Sequence, residues 1–229
     1  MEARTGDVMT APASDFEPSR LQRVVETIAI SSDDAAELVD GYRASFSRKH
    51  GRAPDLFEDK GRIAAKIVGR YSRLAAASGV ATAMPGVVPG VGTAVAAVGG
   101  TFADLAASTK LQVDMCMCLV QVYRVELGNE EKKHLAFVLA LAGSVEQIAS
   151  NGGRAAFAKV AEKLVFKYLS GPTLVTVKQL FGKVAINFTQ KAAAKAIPLG
   201  VGAAFSGSTN YVLTAVVGKI ATAVLEKDV

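Results

Sequence analysis

Apolar positions recur at helical spacing through most of this chain, and nowhere do apolar and polar residues alternate in a strand-turn-strand pattern. The pattern predicts an all-α fold. A first helix starts at Pro18-Ser19 and runs through LQRVVETIAI. Ser31-Ser32-Asp33-Asp34 starts a second, with carboxylates at the positive end of the helix dipole. Leu38, Tyr42 and Phe46 give it an apolar face, and it ends near Gly51. Ala53-Pro54-Asp55 opens a third, whose apolar positions from Asp59 onward are Ile63, Ile67, Tyr71, Leu74 and Ser78. Thr93 caps a long helix reaching Leu127, with Phe102, Leu105, Leu111, Met115, Cys118, Leu119 and Val122 on its apolar side and Gly128-Asn129 as its stop. Glu130 to Ser150 follows, with Leu135, Val138, Leu139, Ala142 and Val145 inward. Arg154 to Leu169 is amphipathic, and Leu180, Phe181, Val184 and Phe188 keep a helical period within Thr173 to Lys195.

Two uncharged runs interrupt this order. Leu74 to Ala103 lies between Arg73 and Asp104, and Ala196 to Gly218 carries no charge either. The first is long enough to span a bilayer, for which about 20 apolar residues suffice. Pro85 and Pro89 break it, and six glycines loosen it, so it reads as two helical arms joined by an apolar hairpin loop. Met84, Val87, Val88 and Val91 in that loop require a cover: the rest of the fold, a partner or lipid. The second run contains Pro198, Gly200, Gly202 and Asn210, which lower its tendency to insert. The expected architecture is one multi-helix bundle over 19–229, built around these two Gly/Pro-rich apolar segments, with 1–18 as a disordered leader.

Composition sharpens this. Half of the 229 residues are hydrophobic, only 7% are aromatic and there is no Trp. Mean hydropathy is +0.29. The apolar content is Ala, Val, Leu and Gly, which suits closely packed helices. The net charge of +5 suggests tolerance of anionic surfaces without choosing between nucleic acid and membrane. Arg62, Lys66, Arg70 and Arg73 form a stripe that abuts the first uncharged run. Two readings stand for it: contact with lipid phosphates, or a solvated helix face. A second basic surface lies between Arg154 and Lys195, where eight Lys/Arg face only Glu162. The basic segments come with no nucleic-acid recognition module or aromatic platform, so no nucleic-acid partner is expected.

Catalytic and metal motifs are missing. His50 and His134 lack metal-ligand spacing, and Gly90-Val-Gly92 does not extend to a dinucleotide fingerprint because position 95 is Val. Cys116 and Cys118, one residue apart on an apolar helix, read as buried thiols in a reducing compartment. No catalytic residue, cofactor or metal is expected. Asp104, closing the first run, and Asn210, inside the second, are expected as buried polar residues that fix helix register if the runs pack together, with a ligand or ion role as the alternative.

The run with Pro89, Gly90 and Asp104, leading to Gln121-Val-Tyr123, resembles the central region of the bacterial EcsC family. Lys195-Ala-Ile-Pro-Leu-Gly, through the Gly-rich turns to Asn210, resembles that family's C-terminal pattern. Tyr123-Arg124 stands where the family has Tyr-Gly. The resemblance implies a helical, membrane-associated bacterial protein, here placed in the cytoplasm peripheral to the inner membrane. The expected function is therefore non-enzymatic association with membrane lipid or binding of lipid. The rival is a soluble scaffold whose apolar loop is covered by a protein partner or by homo-oligomerisation.

Overall fold

The computed structural model describes residues 18–55, 58–81, 100–124, 126–149, 177–184 and 202–227. These form helices without a strand among them: α1 (Pro18–Ile28), α2 (Ser32–His50), α3 (Lys60–Ala81), α4 (Gly100–Tyr123), α5 (Asn129–Ala149), α6 (helical residues 177–184) and α7 (Gly202–Lys227). The fold is all-α.

Local chemistry sets several boundaries. Ser31 caps α2: its hydroxyl accepts the Asp34 N–H at 3.0 Å and donates to the Asp34 carboxylate at 2.7 Å. Gly51 closes the same helix in the left-handed region, φ 66°, behind a last turn of Arg48, Lys49 and His50. At the helix start expected at Ala53-Pro54-Asp55, the Asp55 carboxylate accepts the Glu58 N–H at 2.9 Å and its carbonyl accepts the Asp59 N–H at 3.1 Å. There Asp59 accepts the Asp55 N–H at 2.9 Å, and α3 begins at Lys60. Gly128 begins a helix where a stop was expected. Its N–H donates to Glu131 at 2.9 Å, the reach-back half of a capping box, and its carbonyl accepts from Lys132.

The bundle is organised around α4, which packs against α1, α2, α3, α5 and α7. From Leu105 to Tyr123 every side chain but Ser108 is buried. The expectation of one apolar side was therefore too narrow, since a helix surrounded by five neighbours has no solvent face. Its polar residues are buried in pairs. Lys110 forms an ion pair with Asp114 one turn on, and Asp114 also accepts the Ile30 N–H at 2.8 Å, holding the α1–α2 junction to α4. Gln121 donates to the Ser32 carbonyl and hydroxyl, each at 2.9 Å, and accepts from Lys132 at 3.1 Å; Ser32 donates to Asn129 at 2.9 Å. One network thus joins the starts of α2 and α5 to the end of α4. On α6, Val177, Leu180, Phe181 and Val184 are buried, with Phe181 tilted against Phe137 of α5 at 6.0 Å between ring centroids.

The α3–α7 contact is the most extensive in the bundle, and glycine permits it. A Cβ on Gly218 would lie 2.7 Å from both Val68 methyl carbons and 3.1 Å from the Met115 sulfur. Gly61 of α3 lies beside Glu226 near the other end of α7. The two contacts fix α3 and α7 as antiparallel.

Candidate functional site

Arg62, Lys66, Arg70 and Arg73 are all exposed on the outer side of α3, while Ile63, Ala64, Ile67, Tyr71 and Ala75 fill its inner side. From first to last the stripe extends about 16 Å along the axis. Its members are not equivalent. Arg62 lies 3.3 Å from the carboxylate of Asp59, a buried residue that Arg52 also contacts at 2.8 Å. Burial pushes the Asp59 carboxyl up, but the Asp55 N–H and the two guanidiniums outweigh it and hold it below its ordinary range. Arg70 leans on the Tyr42 hydroxyl, which strengthens the guanidinium's hold on its charge against the opposing effect of burial. Lys66 and Arg73 make no ion pair or hydrogen bond among the described residues.

Beside Arg70, an open cavity of about 550 Å³ runs along α2, lined by Ile30, Leu38 and Tyr42 together with Asp34 and Glu37. Leu38 and Tyr42 were expected to face the core. They are half-buried yet pack against the core beside the fully buried Ala35 and Val39, and Phe46 is buried as expected.

Met84, Val87, Val88 and Val91 lie outside the described residues. Asp104 falls in the first turns of α4, but its side chain is also outside the described set. Asn210 is half-buried on α7, not buried as expected. Among the described residues, the fully buried hydroxyls of the α3–α7 pair are Ser72 and Thr214, one turn beyond Val68 and one turn before Gly218, and neither makes a hydrogen bond there.

The buried groups that sequence reasoning passed over are Lys110, Gln112, Asp114 and Gln121. Their signal was charged and amide side chains interspersed along a largely apolar helix. Burial raises the Asp114 carboxyl, opposed by Lys110 and the Ile30 N–H. Those partners occupy the carboxylate, so it is no free acid or base. Cys116 and Cys118 are buried free thiols. Burial pushes Cys118 up to about 11, with its sulfur 3.7 Å from the Tyr71 hydroxyl, so neither thiol is a ready nucleophile. No group of three or more metal-ligating side chains occurs among the described residues.

The two ends of the bundle differ sharply. At one end Tyr123 donates to Glu226 at 3.0 Å, Lys60 stands 5.9 Å over the Tyr123 ring, and the Gln121–Ser32–Asn129–Lys132 network closes the surface. The antiparallel order sends the C-terminal end of α3 and the N-terminal ends of α4 and α7 to the other end. There α3 supplies Leu74–Ala81, α7 supplies Gly202–Tyr211 and α4 supplies Gly100–Thr109. Asp104 is the one charged residue in those three spans, and α5 brings Glu146 toward them. The described parts of both uncharged runs thus reach one end of the fold. No helix among the described residues is long and apolar enough to cross a membrane. Neither a family model, nor a curated protein, nor a solved structure matches this chain.

Proposed function

We propose that this is a non-enzymatic protein that binds an anionic membrane surface through the end of its bundle where the two uncharged runs meet. One observation carries the reading: the described parts of both uncharged runs, far apart in sequence, arrive at the same end, while polar networks close the opposite one. Uncharged helix ends brought together, with Arg73 nearby making no ion pair or hydrogen bond among the described residues, suit a monotopic mode in which apolar groups enter the headgroup boundary and cations meet phosphates. The EcsC resemblance points the same way.

The test is flotation of the full chain with vesicles of phosphatidylglycerol and of phosphatidylcholine. The reading expects flotation with the first, weakened by salt, and little with the second. A chain that stays at the bottom with both, yet self-associates or captures a partner, belongs to the scaffold class instead.

A further inference from the structure

The open cavity along α2, about 550 Å³, is of a size that holds a small molecule. Asp34, Leu38, Gly41 and Ser45 follow one another along it by three or four residues, so one face of α2 makes most of its lining, with Glu37 and Tyr42 beside them. Gly41 lies in the helix interior, where glycine weakens the helix. A Cβ added there would meet nothing within 4 Å, so no contact among the described residues requires the glycine. Its missing side chain keeps the middle of the cavity open.

The charges of the cavity are divided along the helix. Arg70 of α3 leans on the Tyr42 hydroxyl, whose oxygen accepts and whose O–H is left to donate. Ser45, one turn on, adds a second hydroxyl. Toward the start of α2 lie Asp34, which already accepts from Ser31 at 2.7 Å, and Glu37, which makes no ion pair or hydrogen bond among the described residues. The half-buried Ile30 and Leu38 supply apolar lining. Glu37 and Tyr42 are five residues apart, about 7–8 Å along the axis. An extended peptide advances about 3.3–3.6 Å per residue, so two or three residues separate its terminal charges by a similar span.

We propose that this cavity binds a short linear peptide of two or three apolar residues with both ends free, its carboxylate on Arg70, Tyr42 and Ser45 and its ammonium on Glu37. An anion alone would face two carboxylates, and a cation alone would face the guanidinium. A zwitterion of this span meets a counter-charge at each end. The site is independent of the membrane reading and is tested without vesicles.

The test is isothermal titration calorimetry of the full chain with the tripeptide Ala-Leu-Ala and with its N-acetylated and C-amidated forms. The free peptide should bind, and blocking either end should weaken it about tenfold or more, because each block removes a charge-assisted contact. R70Q should bind the free and amidated peptides alike, and E37Q should bind the free and acetylated peptides alike. G41L should fill the cavity and abolish binding while the helical circular dichroism is kept; if that signal is lost, the two charge variants decide. No heat from Ala-Leu-Ala at millimolar concentration would overturn the proposal, as would equal affinity for free and blocked forms. Undiminished binding of the acetylated form alone would make this a carboxylate site and overturn it. An R70Q variant that loses all three forms in equal measure would assign Arg70 to the fold, with the same result.

Discussion

Replacing Gly218 with Ala tests the placement on which the functional argument depends. The added methyl would come within 2.7 Å of both Val68 methyl carbons and 3.1 Å of the Met115 sulfur. Val68 is β-branched, and its χ1 is nearly fixed on a helix, so it cannot swing aside cheaply. Overpacking of this kind costs about 1–3 kcal/mol. Against it stands the gain from replacing glycine inside a helix, about 1 kcal/mol. The same gain applies without a clash at Gly69 of α3, where an added Cβ meets nothing within 4 Å. Gly69→Ala should therefore stabilise by about 1 kcal/mol, and the gap between the two variants isolates the overpacking term. Urea denaturation of both, with Val68→Ala and the Val68→Ala/Gly218→Ala double variant, completes the cycle. Truncating Val68 should remove the clash, giving a favourable coupling of about 1–3 kcal/mol. If Gly218→Ala stabilises as much as Gly69→Ala, α3 and α7 do not meet at this point. Their antiparallel register, and the shared end of the two uncharged runs derived from it, would then lose their footing.

Other outcomes follow from the buried polar groups. Asp114→Asn leaves Lys110 buried without a counter-charge and should cost about 3–5 kcal/mol in chemical denaturation, whereas the double variant Lys110→Met/Asp114→Leu should cost much less; equal costs would refute the role of the pair. Thr214→Val removes a hydroxyl that is fully buried and unbonded and should raise stability by about 1 kcal/mol or more; a loss would mean that the hydroxyl is satisfied. Asp59 is held below its ordinary range, so its contribution is fully present above the unfolded carboxylate value and is lost as pH falls through the lower folded value. Asp59→Asn should flatten that acid limb of the stability curve, and an unchanged limb would show that other carboxylates set it.

The legible parts of the fold were those set by local chemistry. The Ser31 cap, the Gly51 stop and the inward set Ile63, Ile67 and Tyr71 each follow from neighbours within a few residues, and each appears in the structure. Other features are decided by partners distant in sequence. Nothing local to Lys110, Gln112, Asp114 or Gln121 shows that α4 will be surrounded, since their partners include Ile30, Ser32 and Ser144. Leu38 and Tyr42 have the spacing of core residues and pack against the core, but only their surroundings decide that they stay half-buried beside an open cavity. Gly128-Asn129 has stop chemistry and start chemistry alike, and the Glu131 side chain decides for a start. The basic stripe was plain in the sequence. The inequality of its members was not, because it comes from Asp59 and from Tyr42 across the helix interface.

Hydrogen–deuterium exchange of the full chain, with and without phosphatidylglycerol vesicles, tests the central claim most directly, because it reads both ends of the bundle at once. The account predicts added protection in Leu74–Ala81 and around Tyr211 on vesicle binding, with exchange in the first turns of α3 and α5 unchanged. Protection concentrated at Lys60, Asn129 and Glu226, or spread evenly along α3, would contradict it.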